Sequence, residues 1–554
     1  MRRRIILWML LTAAAGSATA AVAFAGGGGV NYTNVPAANV KAAGYVPSDV
    51  LSPELRQSLV AQGSMALDGA QGAVGWYGYI NDAPSPDDST LPQMVGTPAS
   101  PAEAQKTEPD KNTYLVLKNQ TGADPNYDYG THFLFQGHEV GAALPNSDLT
   151  QSYITRINLD ADVAHRVTLL ATTDSEGNPI QGIDGSTWDP WAKRLLFTTE
   201  DSSNPTYAAT ATYPSTVTDV SGALGRGGYE GIQDDSAGNV WIVEDVSGAT
   251  KSSTKAKRPN SFIYRYVPER PGDLANGKLQ VLQVWDDGRP VTFDSQASLN
   301  NSDQVDLRTY GKTFATKWVT IHDTATDGIT PFDSNSLAKA ADATPFKRPE
   351  NGQFRPGSGF TQFFFDETGD TNADSPENGT AGGWTSIFKL VQRNPSADSG
   401  YLSLFYQSKS ATVAGLDNVT FLSRNLVTFV EDAGDTLHAQ RKALDSGYIW
   451  DVTKDYSTGL QPVRWLAEGR DPSATLDSAT GGFGKNEGDN EITGAHVSNG
   501  NPGPDGLLGA EVPNLWNSGG EWRWFYTQQH GDNFTWQIVL ASQSHDQTDD
   551  QNDQ

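Results

Sequence analysis

Short apolar runs recur along this chain, and each is entered and left by acidic residues. GlyIleAspGly (182–185) leads into LeuLeuPheThrThrGluAsp, so Asp184 is followed by the pair Glu200-Asp201. GlyTyrGluGly (228–231) leads into ValTrpIleValGluAsp, linking Glu230 to Glu244-Asp245, and GlyLeuAspAsn (415–418) leads into LeuValThrPheValGluAsp, linking Asp417 to Glu431-Asp432. Looser copies run from Glu350 to Asp366-Glu367 and end at His138-Glu139. Runs that are apolar through the middle and polar at one end predict strands. Their repetition at blade-like intervals predicts an all-β fold, a six-bladed β-propeller with an N-terminal extension and loop insertions. The acids then gather at one mouth of a central channel, where they repel one another unless a cation neutralises them.

Between these copies the turn signals Ala237-Gly238-Asn239 and Gly277-Lys278 separate short strands, with a longer insertion over 250–345. The propeller is expected over 112–541. GlyTrpTyrGlyTyrIleAsnAsp (75–82) predicts a strand with a polar end, Ser52-Pro53-Glu54 predicts a capped helix to Gln62, and 84–111 predicts a loop. Residues 26–111 thus form an extension packed on the propeller. The acidic segment 542–554 has no apolar positions to build a core and is expected to be disordered. Arg2-Arg3-Arg4, the apolar run Ile5 to Ala13 and AlaPheAla (23–25) predict an export signal over 1–25, by the general or the twin-arginine route, and with it a secreted or periplasmic protein; an uncleaved anchor is the alternative.

Composition narrows the chemistry. The formal net charge is −27, which argues against nucleic acid as a partner. There is no cysteine, so disulfide partners, thiolate ligands and thiol nucleophiles are excluded. The chain carries no GlyXaaSerXaaGly, P-loop or HisGluXaaXaaHis motif, and its 8 histidines are scattered. The donor set is hard oxygen, with Asn81, Asn418 and Asn533 beside acids as neutral amide ligands; it favours several Ca²⁺ ions and tolerates Fe³⁺ or Mn²⁺. Trp188, Trp241 and Trp384 are read as strand packing, and the basic run Lys251, Lys255, Lys257, Arg258 as a surface loop.

The ordered segments GlyTyrIleAsnAsp (78–82), GlyHisGlu (137–139), ThrGluAsp (199–201), TyrGlu (229–230), ArgProGlu (348–350), AspAsn (417–418), GluIleThrGly (491–494) and GlnGlnHisGlyAsp (528–532) resemble those of the PhoX-type secreted alkaline phosphatases, over roughly residues 75–540. The resemblance implies a six-bladed propeller that hydrolyses phosphomonoesters, small phosphate esters, with calcium and iron in its channel, here expected to be monomeric. It implies that Arg348 grips the phosphate and that Glu230 bridges metals. Glu200, Glu350, Asp417, Asn418 and Glu491 become metal ligands, with Asn81, Asp82, His138, Glu139, Asp201, Glu431, Asp432 and His530 as further candidates. The family draws an iron ligand from a cysteine close to where this chain has Asp184, so the iron centre is expected to be absent, altered or all-oxygen. The alternative to an enzyme is a calcium-stabilised binding or scaffold propeller, and a lactonase-like calcium propeller is a second enzymatic alternative.

Overall fold

The computed structural model describes residues 23–25, 30–37, 49–72, 74–79, 94–97, 100–103, 107–143, 150–250, 255–293, 302–375, 383–469, 491–517, 520–529 and 533–543. The described chain is all-β and propeller-like, built from antiparallel meanders. One runs through Thr113–Val116, His132–Gly137, Ile154–Asn158 and Val167–Ala171, with Ala66–Gln71 added in parallel on its outer edge. The next runs from Ser186–Asp189 to Val217–Asp219. A ten-stranded sheet then holds Tyr229–Asp234 through Gly277–Asp286 at one end and Gly352–Phe354 through Ser399–Gln407 at the other, joined through Phe314–Asp323. Leu416–Phe421 begins a further meander, and Ile492–Ser498 begins the last.

The first strands of these meanders lie side by side: Thr113–Val116, Ser186–Asp189, Tyr229–Asp234, Gly352–Phe354, Leu416–Phe421 and Ile492–Ser498, the last packing back against the first. Apolar side chains fill the spaces between neighbouring sheets, as period-2 strands with both faces covered require. Trp241 is buried in one such layer, edge-on to Trp318 with ring centroids 5.1 Å apart, whereas Trp384 lies outside the strands, buried against Ala414, Ala433 and Leu437 beside the helix Gly434–Arg441.

Two local expectations fail. Ser52-Pro53-Glu54 does not cap a helix; Leu55–Ala61 is a strand paired antiparallel with Phe534–Leu540. The would-be capping groups are spent elsewhere: Ser52 Oγ donates to the Thr33 carbonyl (2.6 Å), and Glu54 accepts from Thr33 N (3.1 Å) and Oγ1 (2.6 Å). A waiting sheet edge outweighs a weak helical propensity. The N-terminal strand thereby completes the sheet of the C-terminal strands and closes the ring. Within the segment read as loop, Met94–Thr97 and Ser100–Glu103 pair as a hairpin.

Of the strand expected over 75–82 only its start is found, as Val74–Trp76; Tyr77–Tyr79 follow outside it, and 80–93 lie outside the described residues. So do 1–22 of the expected export signal and 544–554 of the acidic tail; Ala23–Ala25 pairs with Asn31–Thr33. Among the described residues, no helix is long and apolar enough to cross a membrane.

Candidate metal centre

The site is built by one device repeated at the start of the inner strands. Glu108, Gly228, Arg348 and Gly415 all adopt left-handed backbone, with φ of 51°, 63°, 53° and 67°. Each carbonyl accepts from an N–H at the end of its meander's second strand: Glu139 to Glu108 (3.0 Å), Asp245 to Gly228 (2.9 Å), Thr368 to Arg348 (2.7 Å) and Asp432 to Gly415 (2.7 Å). Two residues after each turn an acid enters the axis: Asp110, Glu230, Glu350 and Asp417. Asp184 stands at the matching place before Ser186–Asp189, and Thr493 at the matching place in Ile492–Ser498.

Three inner strands are bulged at this level. The pairing register shifts between Tyr229 and Ile232, between Leu416 and Val419, and between Thr493 and His496. A bulge re-aims side chains that a regular pleat would send to alternate faces. Here it affects Glu230, Asp417 and Asn418.

The resulting carboxylates form overlapping sets whose ligand atoms lie within 4.8 Å of one another: Asp110 with Glu139 and Glu491; Asp110 with Asp184 and Glu230; Glu139 with Asp184 and Glu200; Glu200 with Asp245 and Glu350; and Glu230 with Glu350 and Asp417. Two unit charges at that separation interact by about 3 kcal/mol at an effective dielectric near 20. Burial first, and neighbouring carboxylates after it, push Asp184, Glu230, Glu350, Asp417, Glu491 and Glu139 well above the usual range. Glu200 is pushed up to about 7, first by desolvation and then by Asp245.

Three cationic side chains answer these acids. Arg348 Nε donates to both Asp245 oxygens (3.0 Å each) and Nη2 to Asp245 (2.7 Å), with Glu350 Oε1 at 3.0 Å from Nη2. Its side chain keeps 14% exposure, so a ligand at the mouth reaches it. Lys111 is buried and donates from Nζ to Asn418 Oδ1 (3.0 Å). Lys257 is half-buried, within the fields of Arg348, Asp245, Glu350 and Asp432. Burial, followed by repulsion from Arg348, lowers its pKa to about 8. The basic run is therefore more than a surface loop at this residue, while 251–254 lie outside the described residues.

The donor chemistry fits hard divalent cations. Every clustered ligand is oxygen, the set suited to calcium. Asp184 Oδ1 and Gln529 Oε1 are buried acceptors with no hydrogen-bond partner, although the Gln529 amide donates to Glu139 Oε1 (2.6 Å). Buried acceptors are ordinarily satisfied, so these two unpartnered oxygens are available to a cation. Asp110, Glu139, Asp184, Glu200, Glu230 and Glu350 each belong to two sets, so the sets form one continuous chain of acids.

Of the residues singled out in the sequence, Asp184, Glu200, Glu230, Glu350, Asp417, Glu491, Glu139 and Arg348 come together, with Asp432 and Asn418 beside them. Asn418 gives its oxygen to Lys111, while its amide donates to Asp417 (2.8 and 2.9 Å) and Thr493 (3.1 Å). Others stand apart. His138 is a core histidine held between Thr107 Oγ1 (2.9 Å) and Thr155 Oγ1 (3.0 Å), its pKa pushed down by burial to about 3. Asp201 caps a turn at Ser203 N (2.8 Å). Glu431 is paired with Arg441 (3.1 Å) and takes the Ala414 N–H (2.9 Å). Asn81, Asp82 and His530 lie outside the described residues.

Asp110 and Lys111 escaped the sequence reading, while Asp245 entered it only as half of a strand-end pair and Gln529 only within GlnGlnHisGlyAsp. Glu108-Pro109-Asp110 repeats the pattern of Arg348-Pro349-Glu350 and was the available signal for the first two. The fold and site together define a propeller-like all-β protein with a carboxylate-lined axis. No protein-family model matches the chain, and no curated protein matches it. Among solved structures, the periplasmic gluconolactonase PpgL of Pseudomonas aeruginosa aligns with a TM-score of 0.28 and 12% identity, over 75% of this chain and 98% of that chain.

Proposed function

We propose that this chain is an exported, monomeric, metal-dependent phosphatase that hydrolyses small phosphomonoesters at the axial carboxylate cluster of a six-bladed propeller. The blade count rests on dividing the ten-stranded sheet at Phe314–Asp323 into two meanders, which gives one innermost strand to each member of the closed ring. Asp110, Asp184, Glu230, Glu350, Asp417 and Glu491 would hold calcium, with Glu139, Glu200 and Asp245 toward the mouth. With Asp184 where the family has cysteine, any iron would be held by oxygen. When bound, these cations supply Lewis acidity and charge neutralisation for a phosphoryl group.

The observation that carries the reading is Arg348. It occupies a left-handed backbone position that Gly228 and Gly415 fill in two congruent copies and Glu108 in a third, at a cost of about 1 kcal/mol for a residue with a side chain. A guanidinium held there, partly exposed and beside the carboxylates, can pair two phosphoryl oxygens and follow their charge into the transition state. Asp245 and Glu350 fix its plane, and Lys257 adds positive potential for an anionic substrate.

The test is hydrolysis of an aryl monophosphate by the purified protein with calcium, and with calcium plus iron. Turnover abolished by chelation is expected, with an aryl lactone or carboxylic ester left intact. Inactivity under every metal condition would leave the second reading, a calcium-stabilised binding propeller. That reading is favoured by the full engagement of one guanidinium edge with Asp245.

A further inference from the structure

Lys111 is used by none of the steps above, yet it lies inside the cluster. It follows Asp110 directly and is 5% exposed. Its Nζ contacts Asn418 Oδ1 (3.0 Å) and the Ala495 carbonyl (3.4 Å). Both oxygens come from bulged stretches of neighbouring inner strands. Burial lowers the pKa of Lys111, and the negative potential of Asp417, Asp110, Glu230 and Asp366 opposes that shift. The Asn418 amide is locked in this orientation by its bonds to Asp417 and Thr493, so its oxygen has one direction to offer, and the ammonium takes it.

We propose that Lys111 is a resident cation of the axis: its ammonium occupies the deep end in place of an ion and confines divalent metal to the carboxylates nearer the mouth. The inference rests on the reading of the cluster as a metal centre. An oxygen about 3 Å from an ammonium does not also bind calcium at about 2.4 Å without bringing two cations together. Lys111 therefore sets how many ions the site takes and removes Asn418 from their shell. It also keeps the deepest acids compensated when no metal is bound, which a divalent ligand shell alone does not do.

The test compares wild type with Lys111→Met, which keeps the stem and removes the charge. Calcium bound per chain is measured by equilibrium dialysis, and Tm is measured in chelator and in saturating calcium. The substituted protein is expected to bind one more calcium, to melt several degrees lower in chelator, and to recover the wild-type Tm in calcium. Unchanged stoichiometry, or equal destabilisation with and without calcium, would overturn the proposal. Asn418→Ala provides a second arm that does not depend on Lys111→Met folding: it should leave the calcium stoichiometry of the wild type intact, and loss of an ion would refute the assignment. Absence of any divalent binding to wild type would refute the metal centre itself. A first calcium appearing in Lys111→Met alone would still support the role of Lys111.

Discussion

At the residue scale, the two members of each strand-end acidic pair do different jobs, because successive side chains on a strand point to opposite faces. Glu244 turns into the packing, accepting from Phe262 N (2.9 Å), Tyr264 Oη (3.0 Å) and Asn335 Nδ2 (3.1 Å), while its neighbour Asp245 meets Arg348 at the axis. Glu431 is likewise tied to Arg441, and Asp432 stands on the axial side within the field of Arg348. Around the axis, Arg348 and Glu350 are adjacent in space but differ in chemistry. Replacing Arg348 by Ala is expected to lower kcat/KM on an aryl monophosphate by about 10²-fold, the scale of a lost transition-state charge contact. It also leaves Asp245 and Glu350 uncompensated, so Tm falls in chelator and returns when calcium is added. Glu350→Ala removes a ligand and should weaken calcium binding together with activity. Wild-type turnover in Arg348→Ala would reduce the arginine to a counter-ion.

At the scale of the element, the bulges place the ligands, and small residues make room for them. A Cβ on Gly231 would lie 2.8 Å from Asn351 Oδ1 and 2.9 Å from the Glu350 carbonyl, whose oxygen accepts the Gly231 N–H (2.8 Å). Gly231→Ala must push apart the two inner strands that carry Glu230 and Glu350. We expect a cost of about 1–3 kcal/mol, the range for overpacking, together with weaker calcium binding. Gly75→Ala, where a Cβ would meet nothing within 4 Å, serves as the comparison. A calcium titration of Gly231→Ala that superposes on wild type would mean that the bulge does not position the acids. The repeated acid–strand–acid pattern made the inner strands legible. The bulges were not, because inserting one residue changes which face follows without changing the composition of the run.

For the whole molecule, the balance of charge couples metal to stability. In the metal-free protein the clustered carboxyls titrate above their unfolded values, with Glu200 at about 7 against an ordinary 4.5. The folded state then holds more protons than the unfolded state across that window, so metal-free stability falls as pH rises through it. Calcium held by the cluster, as proposed, would need deprotonated ligands and the folded chain, so its stabilisation would grow over the same range. The gap in Tm between calcium and chelator should therefore widen from pH 5 to pH 8. His138 and His496, both pushed down to about 3 by burial, weaken the fold as pH drops below about 6.5, but they do so in both forms and cancel in the difference. A pH-independent gap would argue against occupancy of the cluster.

The sequence by itself determined the all-β character, the strands with acid at one end, and the convergence of Asp184, Glu230, Glu350 and Asp417, because a period-2 apolar run and its polar end are local properties of the chain. Only the tertiary structure decided that Leu55–Ala61 is a strand completing the last sheet, that Glu431 and His138 turn away from the axis, and that Lys111 sits among the acids. Each of these depends on a partner far along the chain or on the face a side chain takes at one register, and neither is written in the run that contains the residue.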